Sequence, residues 1–313
     1  MPYTLAEADK YSQSVLMQGV IGEILKDSPL LNVLPFIEVL GNSVTYNRET
    51  ALPGADWHDP NDVWQESTGS VTPVTALLKI LGGDSDIDNF LRITRSNQQD
   101  LEAAMLAMKA KALVMEFENA FIYGDDSVDA KKPDGLHATI AAVAAHQKNM
   151  GTSTTGAAGT FSALDELVDL VKPGKPDLLT MSRRTLRGIN KLARSQGWHL
   201  DTVPIGSIGM KVLAWDTIPI AVSDYILDTE AIAANIFSAA TGGVTSSIFA
   251  LKFGEGAVCG LEATNGIVAE NVGNLESKDA RRWRVKWYVN PLAAFCSYSI
   301  ARMDGITSAD WTN

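Results

Sequence analysis

The sequence predicts an α+β protein built around one long helix, with a projecting segment ahead of it, and three observations carry that expectation. The stretch from Asn97 to Tyr123 is apolar-periodic and lies between helix start and stop signals. The region from Gly41 to Thr94 is extended and rich in turn formers, with no core of its own. Behind the helix, capped helices are mixed with short apolar strands, and the chain closes on strictly alternating strand patterns.

Residues 1 to 40 read as a polar, partly helical arm. Its helix, around Ser14–Ile21, is broken at Ser28-Pro29 and again at Leu34-Pro35. Residues 41–95 form a loop that goes out along Ser43–Glu49 and returns along Val74–Leu81. Between these lies Pro53–Trp64, dense in turn residues yet carrying Trp57 and Trp64. So long a loop without a core is uncommon inside a compact domain and points to contact with something else.

Ser96-Asn97-Gln98-Gln99 reads as a capping box for the long helix, and Gly124 as its stop. Leu101, Met105, Met108, Ala112, Met115 and Ile122 trace an inward stripe, with the methionines as packing residues. A helix of that length spans roughly 40 Å. Gly151–Gly159 is a small-residue linker. Thr160 then caps a helix with Leu164, Leu167, Val168 and Val171 inward, Pro176–Met181 is a buried strand, and Ser182 caps a second helix running to Gly197. A hairpin turns at Trp215-Asp216-Thr217, and strands follow at Ser247–Phe253 and Ala257–Ala263. Arg282–Val289 alternates with Trp283, Val285, Trp287 and Val289 inward, Asn290-Pro291 interrupts it, and Leu292–Ile300 forms a further strand.

Among 313 residues, Lys and Arg number 26 against 37 Asp and Glu, a formal net charge of -11. That balance repels nucleic acid at long range and argues against a dedicated DNA or RNA reader. The two cysteines, Cys259 and Cys296, sit in apolar strand contexts as inert thiols, with no disulfide framework or zinc motif. The N-terminus has no signal-peptide pattern and no apolar run is long enough to cross a membrane, so neither secretion nor membrane insertion is expected.

No site for catalysis, cofactor or metal emerges. Asp84-Ser85-Asp86-Ile87-Asp88 has alternating carboxylates, but Asn89 and Arg95 stand where a calcium loop needs Gly and Glu, so the run reads as a solvated acidic turn. Gly254-Glu255-Gly256 misses dinucleotide spacing and suits a tight turn. The four histidines are scattered, and no nucleophile elbow, Walker A or zinc-protease motif occurs. The basic cluster Arg183, Arg184, Arg187, Lys191 and Arg194 either faces phosphate or acidic loops, or is a solvated helix face.

The phrases Phe121-Ile122-Tyr123-Gly124-Asp125 and Pro133-Asp134-Gly135-Leu136, then Leu164–Leu167 leading to Pro176–Thr185, and the late run Arg281–Val289, come in an order that resembles the major capsid proteins of tailed double-stranded DNA phages. The resemblance covers most of the chain from Gly41 onward. It implies the Hong Kong 97-type fold, shared with encapsulins: N-terminal arm 1–40, extension loop 41–95, peripheral domain 96–175 with spine helix 97–123, axial domain mostly 176–275, and C-terminal strands 276–313 returning to the peripheral domain.

By that resemblance the chain is a non-enzymatic shell subunit that joins copies of itself into hexamers and pentamers around a genome. Scaffolding, portal and decoration proteins are implied partners, packaged DNA is touched without sequence specificity, and no membrane is involved. The shell would be the virion capsid, assembled in the host cytoplasm. Trp57 and Trp64 become subunit-interface anchors, with Arg48 and Glu49 on the outgoing strand, because large aromatics supply much of the buried area at interface hot spots. Arg183, Arg184 and Arg187 become electrostatic contacts. An encapsulin-like compartment and, from another class, an α/β enzyme with a lid at residues 50 to 70 are the alternatives.

Overall fold

The fold is that of a computed structural model, which describes residues 30–31, 33–90, 101–141, 143–151, 156–197, 199–205, 210–230 and 243–312. The expected arm helix and the capping box at 96–99 lie outside these residues. In chain order the elements are β1 (Phe36–Val39), β2 (Ser43–Ala51), β3 (Ser70–Leu77), β4 (Lys79–Asp88), α1 (Leu101–Tyr123), α2 (Leu136–Ala141), β5 (Gln147–Asn149), α3 (Phe161–Leu170), β6 (Leu178–Met181) and α4 (Arg183–Ser195). There follow β7 (Asp201–Ile205), β8 (Met210–Trp215), β9 (Ile218–Val222), β10 (Ser246–Leu251), β11 (Val258–Asn274), β12 (Ala280–Ala294) and β13 (Ile300–Ile306).

Two sheets and a ribbon organise these strands. One sheet has the order β1-β11-β12-β4, the other the order β5-β13-β10-β6-β9-β8-β7, and β2 with β3 makes a separate two-stranded ribbon. Strands β11 and β13 pair into different sheets, although only β12 lies between them in the chain.

The long helix packs on the four-stranded sheet. The alternation read at Arg282–Val289 is realised: Trp283, Val285, Trp287 and Val289 are buried, and Phe117 of α1 stacks on Trp287 with ring centroids 5.1 Å apart. Phe36 of β1 closes the same aromatic group, 5.6 Å from Trp287. The buried face of α1 runs through Leu106, Ala110, Leu113, Val114, Phe117 and Phe121. This corrects the expected stripe, because Met108 and Met115 are 60% and 54% exposed and Ala112 is exposed beside them. The helix is apolar over most of its circumference, so a three-four spacing can be drawn through more than one face and does not fix the inward one.

In the larger sheet the local signals hold. Thr160 accepts from the Ala163 amide and caps α3, and Ser182 accepts from the Thr185 amide and caps α4. The β8–β9 hairpin turns on Asp216 and Thr217, both with positive φ, as a two-residue turn requires. Ala157 bonds to Gly305 and Thr307 beside β13, so the described end of the expected linker is stitched to the sheet rather than free.

Two further expectations are corrected. Asn290-Pro291 does not interrupt β12, which runs unbroken to Ala294. Past Val289 it has left β4, and its register with β11 shifts between Cys259 and Leu261, so no ladder bond is demanded where Pro291 lacks its N–H. The next strand then begins at Ile300, after a single 3₁₀ turn at Ser297–Ser299.

The acidic run at 84–88 is not a turn. It lies in β4, directly opposite β12. Asp84 takes a two-pronged hydrogen bond from Arg284, and Asp86 one from Arg282, at 2.6 to 2.9 Å. Lys286 continues the row to Glu270 of β11 at 2.7 Å. Hydrogen bonds from Arg284 and Arg282 hold the Asp84 and Asp86 carboxyls below the usual range. Opposite charges on facing strands, rather than a bound cation, account for the alternation.

Candidate functional site

The ribbon β2–β3 has two faces. Val44, Tyr46, Arg48, Val74 and Ala76 turn toward the body, while Thr45, Asn47 and Glu49 turn outward. The root is fixed through Tyr46 and Arg48. The Tyr46 hydroxyl donates to the Ala294 carbonyl at 3.0 Å, Arg48 Nη2 donates to the same oxygen at 2.8 Å, and Arg48 Nε donates to the Phe295 carbonyl at 3.4 Å. The Tyr46 ring meets Phe295 edge-on at 4.6 Å. Burial raises the Tyr46 phenol above its ordinary range. Arg48 is thus engaged within its own chain, and Glu49 is exposed.

Beyond Ala51 the chain forms a loop held by few bonds. Ser67 Oγ donates to the Gly54 carbonyl at 3.0 Å, and the Asp59 amide donates to Asp62 Oδ2 at 2.8 Å across a turn. Trp57 is 103% exposed and Trp64 78%, with Leu52 and Val63 exposed between and beside them. The Trp64 ring meets that of His58 with centroids 4.2 Å apart. A second apolar surface is the outer face of α1, where Met108 and Met115 lie among Ala103, Ala107 and Ala112. Contiguous apolar surface of this kind marks sites of association more often than chance.

The arginine cluster divides. Arg183 holds Asp224 in a two-pronged pair at 2.5 and 2.9 Å, an exposed contact that raises the Arg183 guanidinium further. Arg184 is turned inward, donating to the carbonyls of Asp228, Val244 and Ile306 at 3.0 to 3.3 Å, so it braces the body. Arg187 and Arg194 are exposed, and Lys191 pairs with Asp310 at 2.6 Å. Burial pushes the Cys259 thiol up to about 11, away from reactivity.

Sequence reasoning missed a buried polar cluster where α1, α2, β10 and β13 meet. Tyr123 donates to Glu230 at 2.6 Å, and Ser247 donates to the second oxygen of Glu230 at 2.5 Å. His137 Nε2 lies 3.3 Å from Glu230, Arg302 reaches His137 at 3.1 Å and Gln147 at 2.9 Å, and Arg302 pairs with Asp304 at 3.0 Å. Burial holds His137 below its ordinary range and lifts Asp304 to about 6. These residues lie far apart in the chain and share no spacing, so no pattern announces them.

A profile of the phage capsid family matches residues 13–202, and the chain belongs to that family. The protein is accordingly a structural, shell-forming subunit, and its fold is the Hong Kong 97-type capsid fold. Among solved structures it is similar to the SrpI encapsulin of Synechococcus elongatus PCC 7942, with 15% identity, a TM-score of 0.67, and 91% of this chain and 90% of that one covered. It is also similar to the capsid of a native GTA particle, at 16% identity and TM-score 0.59 over 89% and 90% of the two chains. The third is a virus-like particle protein from Pyrococcus furiosus, at 10% identity and TM-score 0.54 over 92% and 97%. No curated protein matches the sequence.

Proposed function

We propose that this chain is the major capsid protein of a tailed double-stranded DNA phage, closing as hexamers and pentamers into an icosahedral head around the genome, without catalytic activity. The observation that carries the reading is the ribbon loop, which is anchored at its root by Tyr46 and Arg48 yet presents Trp57 and Trp64 largely exposed among the described residues. Side chains so costly to leave in water are retained where a partner buries them. The tryptophans would anchor on a neighbouring subunit, with Glu49 on the outer face of the same strand. Residues 96–175 with the strands of 276–313 would form the peripheral domain and 176–275 most of the axial one, except that β5 and β13 pair into the seven-stranded sheet and β11 into the sheet that carries α1.

Arg187, with Arg183, would meet packaged DNA or acidic loops of neighbours through charge alone. Assembly would take place in the host cytoplasm, with scaffolding, portal and decoration proteins as further partners. The reading is tested by purifying particles and treating them with nuclease. Protected double-stranded DNA supports a phage head. Particles filled with a protein cargo would support the encapsulin-like alternative.

A further inference from the structure

The outer face of α4 borders a shallow groove of about 620 Å³ that reaches Val222 at the end of β9. Four cations line it, Arg183, Arg187, Lys191 and Arg194, and no carboxylate does. Steps of four, four and three residues put them in one row along the helix. At 1.5 Å per residue that row runs about 16 Å. The chain itself holds two of the four: Arg183 pairs with Asp224, and Lys191 with Asp310 at 2.6 Å. Arg187 and Arg194 are exposed, and their side chains make no ion pair or hydrogen bond among the described residues. With Asp224 and Asp310 counted against the four cations, the face keeps two positive charges in excess.

The composition of this face selects its partner class. Cores of protein–protein interfaces are depleted of charge and enriched in aromatic anchors, whereas surfaces that bind nucleic acid are strongly positive. The groove has no aromatic residue, and of its two apolar residues Leu186 already packs on the chain's own core. About 16 Å of duplex presents about five phosphates on one strand, enough for each cation to meet one. Helix α3 lies on the same side of the sheet, since its Leu164 and Leu167 share a core with Ile189 of α4, and it exposes Asp165, Glu166 and Asp169. These carboxylates repel a polyanion and confine it to α4.

We propose that the outer face of α4 is a sequence-independent track for the phosphate backbone of DNA, and that the C-terminal segment covers its middle through Asp310. The inference rests on the phage-head reading and names the surface that touches the genome. The cover is seated in a fitted place. Trp311 is only 6% exposed, and a Cβ on Gly159 or Gly188 would stand 2.5 Å from its indole, so both positions leave room for that ring. The Thr312 amide donates to the Gly159 carbonyl at 3.1 Å. Seated so, the segment holds the Asp310 carboxylate on Lys191, while Ser308, Ala309 and Asp310 stay exposed. Loss of that one negative charge leaves Arg187, Lys191 and Arg194 as three adjoining cations. An exposed ion pair contributes little to stability, so the carboxylate yields Lys191 to a competing phosphate.

The test titrates fluorescent DNA duplexes of about 20 base pairs with the full-length chain, kept below its assembly concentration, and reads anisotropy at about 50 to 200 mM salt. Two duplexes of unrelated sequence should bind alike. Arg187→Gln combined with Arg194→Gln should weaken binding about tenfold at the lowest salt and make the salt slope shallower by about two. Asp310→Asn should tighten binding about threefold and steepen the slope by about one. Thermal melts of both variants should match the parent, since all three side chains are exposed. No binding by the parent, or unchanged binding by the double variant, overturns the track, and unchanged binding by Asp310→Asn overturns the cover. Polyglutamate bound as tightly as DNA overturns nucleic acid as the partner class. Particles that protect DNA although their subunits ignore it defeat this inference alone. Particles filled with protein, from subunits that still bind DNA through α4, defeat the phage-head reading instead.

Discussion

Replacing Trp57 and Trp64 together with alanine perturbs assembly without perturbing the subunit. Both indoles are exposed in the isolated chain, at 103% and 78%, so their removal should change subunit stability by less than about 0.5 kcal/mol, as for surface substitutions generally. In a shell each would bury on the order of 200 Å², equivalent to about 5 kcal/mol by area. Costs of ordering the loop reduce that, and truncation of an aromatic anchor typically costs about 2 kcal/mol or somewhat more. Two anchors therefore imply about 4 kcal/mol per subunit contact, or about a thousandfold in association constant. Light scattering during assembly should show no particles at concentrations where the parent assembles, with superimposable thermal melts. Normal particles would refute the anchor assignment, and a melting temperature lowered by several degrees would show that the indoles pack on their own body.

Other perturbations read the body itself. Trp287→Ala removes the ring stacked on Phe117 and should cost about 3–5 kcal/mol, lowering the subunit melting temperature by about 10 °C. Gly135→Ala should cost about 1–3 kcal/mol in a denaturant titration, since a Cβ there would stand 2.5 Å from the Ala120 carbonyl and 2.7 Å from the Gly124 amide, neither of which can yield easily. His137 is held neutral by burial, so as pH falls below about 6.5 the unfolded chain binds a proton that the folded chain refuses, and stability falls. The slope from this group is at most about 1.4 kcal/mol per pH unit. Asp304, raised to about 6, acts oppositely, stabilising as pH falls through about 6. His137→Gln should therefore flatten or reverse the loss of stability on acidification, and an unchanged pH profile of urea midpoints would contradict the assignment.

What the sequence made readable was local. Thr160 and Ser182 announce their helices because an N-cap is decided within four residues, and Trp283–Val289 shows its inward face because alternation fixes it. Arg282 and Arg284 meet Asp86 and Asp84 across about two hundred residues of chain, and no spacing encodes that register. The acidic run therefore looks like a turn in sequence and is a paired strand in the fold. In α1, Met105 and Ile122 of the expected stripe do face the core, but Met108 and Met115 look like core only until a neighbouring sheet selects Phe117 and Phe121 instead. The ribbon loop was readable for the opposite reason, through two tryptophans in a segment with nothing of its own to bury them.

The central claim is that identical copies of this chain close into a shell. Electron microscopy of the purified protein tests it most directly. Closed icosahedral particles of uniform size are expected, alone or with a scaffolding partner. Protein that stays monomeric or forms only small oligomers under all such conditions would contradict it.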